Sequence, residues 1–168
     1  MFKKIAIASA LALMASASFA QTAPSVYVGG QINSTKIDDL DGRNTGAGVF
    51  AGYQFNENYA LEVGYARLFN EDYTFAGQSV NVKLNQTSIS GIAALPLSNG
   101  FNVYGRLGYN HVSADANAGA GTYSESTSGA LYGVGVGYNF TPTIAGRVEF
   151  QKGSSDSSTA VAAIAFKF

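Results

Sequence analysis

The chain has 168 residues, with ten Lys and Arg, eleven Asp and Glu and one His, for a formal charge of −1. That balance offers nucleic acid no basic surface, and the lack of any cysteine excludes a disulfide framework and thiolate metal sites. The chain is 46% hydrophobic, yet beyond its N-terminus no apolar run reaches the roughly 18 residues of a spanning helix, so the apolar residues are spread in alternation.

The N-terminus reads as a targeting segment. Lys3 and Lys4 give a basic start, Ile5 to Ala17 an apolar stretch, and Ser18-Phe19-Ala20 a small-x-small cleavage site before Gln21. This is the layout of a secretory signal peptide over residues 1–20, leaving a single domain over 21–168. Without Lys3 and Lys4, eight basic side chains stand against eleven acidic ones.

After Gln21 the period-2 alternation between turn clusters predicts eight strands. They cover Ser25–Ser34, Thr45–Phe55, Tyr59–Phe69, Val80–Leu95, Phe101–Ser113, Ser128–Phe140, Ile144–Lys152 and Thr159–Phe168. The fourth is irregular, because its apolar phase switches near Gln86. Short connectors (Asn56-Glu57-Asn58, Pro96 to Gly100, Thr141-Pro142-Thr143) alternate with long ones (35–44, 70–79, 114–127 and 153–158). Short turns at one end and long loops at the other predict an all-β fold, an eight-stranded antiparallel transmembrane β-barrel with short periplasmic turns and longer extracellular loops. An internal repeat supports the registration. Gly52-Tyr53-Gln54-Phe55, a turn and Tyr59-Ala60-Leu61-Glu62-Val63 match Gly137-Tyr138-Asn139-Phe140, a turn and Ile144-Ala145-Gly146-Arg147-Val148.

The two faces differ in chemistry. One row carries Val26, Val28, Ile32, Val49, Tyr53, Leu61, Val63, Tyr65, Val103, Leu107, Val134, Val136, Val148 and Phe150, and ends in Ile164, Phe166 and Phe168. The other carries Gln31, Asn33, Gly48, Gly52, Gln54, Glu62, Asn102, Tyr104, Arg106, Gly133, Gly135, Arg147, Glu149 and Gln151. A soluble sandwich would hide the first row; a barrel in lipid shows it to acyl chains. Tyr53, Phe55, Tyr59, Phe101, Tyr138, Phe140, Phe166 and Phe168 collect at the short-turn end as an interfacial aromatic girdle.

Four charged residues fall on the inner row. Counting from the periplasmic turns puts Glu62 level with Arg147 and Arg106 level with Glu149. An eight-stranded barrel is just wide enough for side chains to fill it, and paired charges there offset their desolvation. A structural plug is expected; the alternative is an ionic gate in a narrow solute channel. Gly133-Val134-Gly135-Val136-Gly137 lacks the helix and lysine of a phosphate loop and reads as small inward residues. His111, the single histidine, leaves no multi-histidine metal site, and no metal or other cofactor is expected. His111 and Ser113 share a face and Glu125 follows in the next connector, which offers an alternative base, nucleophile and orienting carboxylate for acyl transfer. That spacing is similar to the one in outer-membrane lipid A deacylases, although Ala114 stands where their asparagine follows the serine. The acidic run Asp38-Asp39-Leu40-Asp41-Gly42-Arg43-Asn44 lacks the ligand pattern of a calcium loop and reads as a solvated outer loop.

With strands and faces assigned, the chain resembles the outer-membrane β-barrel family typified by the OmpA transmembrane domain and by OmpX-like and opacity-type small barrels. The resemblance is carried by Gly52 to Phe55 with Ala60 to Tyr65, by Val103-Tyr104-Gly105-Arg106-Leu107-Gly108-Tyr109, and by Leu131 to Phe140. Arg147-Val148-Glu149-Phe150 and the terminal Phe168 complete it. It implies that Glu62, Arg106, Arg147 and Glu149 form a buried ionic cluster. It also implies that Ile164, Phe166 and Phe168 are the signal read by the barrel-assembly machinery. OmpA continues into a periplasmic peptidoglycan-binding domain, whereas this sequence ends at its last strand, so wall anchoring is not expected. The expected location is the outer membrane of a Gram-negative envelope, with its lipids, lipopolysaccharide and an extracellular ligand as partners. The expected role is non-enzymatic, in envelope integrity or surface interaction.

Overall fold

In the computed structural model, residues 24–37, 43–75, 78–118, 121–153 and 157–168 are described. Eight strands follow one another: β1 (Ser25–Ile37), β2 (Arg43–Gln54), β3 (Tyr59–Phe75), β4 (Gln78–Pro96), β5 (Phe101–Ala118), β6 (Gly121–Asn139), β7 (Ile144–Lys152) and β8 (Ser157–Lys167). Each pairs antiparallel with the next, and β8 returns to β1 to close the barrel. Closure leaves no unpaired sheet edge at the depth of the lipid, which is what a membrane demands of strands. The seam is tied at its lower end, where the Phe168 amide donates to the Val26 carbonyl at 2.9 Å.

The three short turns are set locally. Asn56 Oδ1 accepts the amides of Asn58 and Tyr59 at 2.9 and 2.8 Å, and Thr141 Oγ1 accepts those of Thr143 and Ile144 at 3.3 and 2.9 Å. These are side chains imitating a turn carbonyl. Between β4 and β5, Asn99 and Gly100 take left-handed φ values of 60° and 80°, which asparagine and glycine tolerate best.

The exterior is apolar over the lower barrel. Val26, Val28, Val49, Leu61, Val63, Val103, Leu107, Val134, Val136, Val148 and Phe150 are all exposed, as is the β8 row of Ile164, Phe166 and Phe168. Of the lower girdle, Tyr138 is partly covered, wedged between Phe101 and Phe140 with ring centroids 4.6 and 5.1 Å away.

Strand boundaries are where the structure departs from the alternation. β3 to β6 run on as strand through 70–75, 78–79, 114–118 and 121–127, segments read from sequence as connectors. The reason is a reversal of polarity. Above Tyr65, Ile89, Tyr109 and Ala130, the outer row turns to Thr87, His111, Ser113, Ser126 and Ser128, while Ala66, Leu68, Val112 and Leu131 are buried on the lumen side. Strands that leave lipid for water keep their backbone pairing but exchange the faces on which apolar residues belong. The apolar phase switch near Gln86 is this exchange: β4 pairs with β5 without a break from Asn81 to Pro96. The acidic run at 38–42 and the signal segment lie outside the described residues.

Candidate functional site

The lumen site is built where three strands present charged residues opposite glycine or small partners. Glu62 of β3 stands across from Gly52 and Ser90, Arg106 of β5 across from Gly133 and Ile92, and Arg147 and Glu149 of β7 across from Gly137 and Gly135. Glycine on the neighbouring strand gives a long side chain room to cross the barrel. The hairpin repeat sets Glu62 and Arg147 at matching positions after their turns, and the two are joined.

Glu62 is the hub. It accepts two hydrogen bonds from Arg147, Nη1 to Oε2 at 2.6 Å and Nη2 to Oε1 at 2.8 Å. It also accepts Arg106 Nη2 at 2.8 Å and the Tyr27 hydroxyl at 3.0 Å. Arg106 spans the lumen to Glu149, with Nε donating to Oε1 at 2.6 Å and Nη2 to Oε2 at 3.2 Å. Glu149, fully buried, takes its last bond from the Tyr104 hydroxyl at 2.8 Å. The guanidinium of Arg147 lies 4.1 Å from the centre of the Phe50 ring, a cation–π contact, while its Nε has no partner among the described residues. Two cations and two anions make the set neutral, and every carboxylate oxygen is bonded. Satisfied this fully, an ion network repays its desolvation and rigidifies its surroundings.

Three members were not assigned to this site from sequence: Tyr27, Phe50 and Tyr104. Tyr104 falls on the inner row, but Tyr27 and Phe50 sit inside the apolar runs Val26-Tyr27-Val28 and Val49-Phe50-Ala51, where alternation is silent. The readable signal was cross-strand. Each inward ring stands opposite a glycine, Tyr27 against Gly52, Phe50 against Gly29 and Tyr104 against Gly135, and a Cβ on any of these glycines would meet the ring.

Below the network a cavity of about 520 Å³ opens between the periplasmic turns, bordered by Tyr27, Asn102, Tyr104, Asn139, Arg147 and Lys167. The lumen is therefore filled at the level of the charges and open beneath them. Above, next to Glu62, Arg106 and Gln86, a space of about 20 Å³ holds roughly one water.

His111, Ser113 and Glu125 are not brought together. His111 Nδ1 pairs with the Ser128 hydroxyl at 2.7 Å on the exposed outer face. Glu125 belongs to β6, not to a connector, and stands opposite Ala114, on the face of the sheet turned away from His111 and Ser113. Alternation separates the base and hydroxyl from the carboxylate by the thickness of the sheet. Among the described residues, no group of three His, Cys, Asp or Glu is arranged to hold a metal ion.

A closed eight-stranded barrel, apolar outside and charged within, is a transmembrane barrel of the bacterial outer membrane. The model of the family described as outer membrane protein beta-barrel domain matches residues 5–165, and the chain belongs to that family. Outer membrane protein A of Salmonella typhi is 32% identical over 166 residues, and that of Escherichia coli O157:H7 30% over 162, each match covering 89% of this chain. The chain spans about half of those relatives, 47% of each. Among solved structures, Neisserial surface protein A is similar with a TM-score of 0.66 at 16% identity, over 88% of this chain and 98% of that one. The attachment invasion locus protein Ail of Yersinia pestis, solved with the heparin analogue sucrose octasulfate, gives 0.63 at 18%, over 86% and 97%. The N-terminal β-barrel domain of Pseudomonas aeruginosa OprF gives 0.61 at 18%, over 84% and 97%. At these identities the likeness is one of fold.

Proposed function

We propose that the protein is a non-enzymatic barrel, closed across its lumen by side chains, that serves envelope integrity or surface interaction. One observation carries the reading: Arg106 bridges Glu62 and Glu149 from wall to wall, with Arg147 and two tyrosine hydroxyls completing the network. A lumen blocked by neutral, fully bonded charges suits a rigid pillar better than a pore. Residues 1–20 are the export signal, removed before Gln21. Ile164, Phe166 and Phe168, the outward row of β8, are the segment offered to the barrel-assembly machinery. The surface partner is an extracellular ligand met by the projecting ends of β3 to β6.

Planar-bilayer recording tests the closure. The wild-type barrel is expected to pass no discrete current, and Arg106→Ala to introduce openings. Steady wild-type channels would make the protein a narrow solute channel instead. Mass spectrometry of lipid A from cells with and without the protein tests the non-enzymatic claim, since a changed acyl count would mean a hydrolase.

A further inference from the structure

Setting residues 1–20 aside, eight Lys and Arg remain, and the strand register sorts them. Arg106 and Arg147 are in the lumen, and Lys167 borders the periplasmic cavity. The other five, Lys36, Arg43, Lys83, Arg67 and Lys152, fall in one band around the barrel. Arg67, exposed, comes two residues after Tyr65 on the outer row, and Lys152 two residues after Phe150. Lys36 stands opposite Arg43 and Ser158, and Lys152 opposite Ser158, so three basic positions cluster across the β7–β8–β1–β2 side. Lys83 stands opposite Asn70 and Asp115. By strand alternation Lys36 keeps the phase of Val28 and Ile32, Arg43 that of Val49, and Lys83 that of Ile89.

This band lies at and just above the level where the outer face changes from apolar to polar. A cation there is at headgroup depth, facing lipid rather than the lumen. The carboxylates do not cancel it: Glu62 and Glu149 are in the lumen, Glu125 is on the inner face, and Asp115 opposes only Lys83. Among the described residues no carboxylate pairs with Arg67 or Lys152. Between them lie hydrogen-bonding groups on the same outer row, Thr87, His111, Ser113, Ser126 and Ser128. Basic side chains that bury their stems against acyl chains and lift their charge to the interface are suited to phosphate.

We propose that this collar binds the phosphate groups of lipid A in the outer leaflet. The geometry is independent of whether the lumen conducts. The test uses the full barrel in phosphatidylcholine nanodiscs, with native mass spectrometry of retained lipid. Probes are bisphosphoryl lipid A, enzymatically dephosphorylated lipid A and phosphatidylglycerol. Bisphosphoryl lipid A is expected to be retained best, with retention falling as salt rises. Arg67→Gln with Lys152→Gln should weaken it about thirtyfold, from roughly 1 kcal/mol per interfacial cation. Lys167→Gln, at the other end, should leave it unchanged. Equal retention of the dephosphorylated form, an equal loss in Lys167→Gln, or preference for phosphatidylglycerol would each overturn the proposal. Should the double variant fail to give a compact folded band, the comparison of the three lipids on the wild-type barrel decides alone.

Discussion

At the scale of single residues, the lumen network concentrates its energy in Arg106, which contacts both carboxylates. Arg106→Ala strands two buried anions with fewer donors, and loss of one partner from a buried ion network costs about 3–5 kcal/mol. Urea unfolding of the refolded barrel in lipid vesicles should show that loss. Tyr104→Phe removes one hydroxyl from Glu149 and should cost about 1.5–3 kcal/mol by the same measurement, the range for a hydrogen bond to a charged group. In a double-mutant cycle with Glu149→Gln, the two losses should not add, because they share the bond. Gly135→Val tests the cross-strand space directly. Its side chain would occupy the site of the Tyr104 ring, so it should destabilise at least as much as Tyr104→Phe although it removes no polar group.

At the scale of the element, each long strand is two strands in chemical terms, one in lipid and one in water. Val134, exposed on the lower part of β6, faces acyl chains, whereas Ser126, eight residues earlier on the same row, lies above the inversion. Val134→Arg should cost about 2–4 kcal/mol and Ser126→Arg roughly 0–1, following the depth dependence of charge on a barrel's lipid face. On the lumen side the sign reverses. Leu131 is 2% exposed, and Leu131→Ala should cost about 2–5 kcal/mol as a core truncation would. Equal losses at Val134 and Ser126 would remove the membrane boundary from where the alternation puts it. The strand cores and the short turns were legible because each depends on neighbours in sequence: alternate residues, or the Asn56 and Thr141 side chains capping their own turns. The outer ends of β3 to β6 were not, because the reading held one face apolar throughout, while the solvent changes partway along the strand.

At the scale of the whole molecule, closure couples elements far apart in the chain. Eleven register pairs join β1 to β8, so no stable subset of strands exists without the last one. If Ile164, Phe166 and Phe168 are the assembly segment, Phe166→Ala with Phe168→Ala should lower the folded, heat-modifiable band in outer-membrane fractions. The same variant refolded in vitro should unfold near the wild-type urea midpoint. A matching loss in vitro would make these rings structural instead. The four charged residues of the lumen were legible in the same partial way as the strands. Alternation placed Glu62, Arg106, Arg147 and Glu149 on the inner row and the hairpin repeat put two of them at one depth. The bond from Arg106 to Glu62, and the inward turn of Tyr27 and Phe50, needed the register.

The sequence alone determined strand number, the lipid face, the short turns and the family, because these follow from period-2 alternation and from residues that act on their immediate neighbours. Which side chains meet across the lumen, and how the remaining cations form one band at the rim, was decided only by the closed barrel. Those relations depend on the stagger between strands distant in sequence, and alternation within one strand carries no record of that stagger.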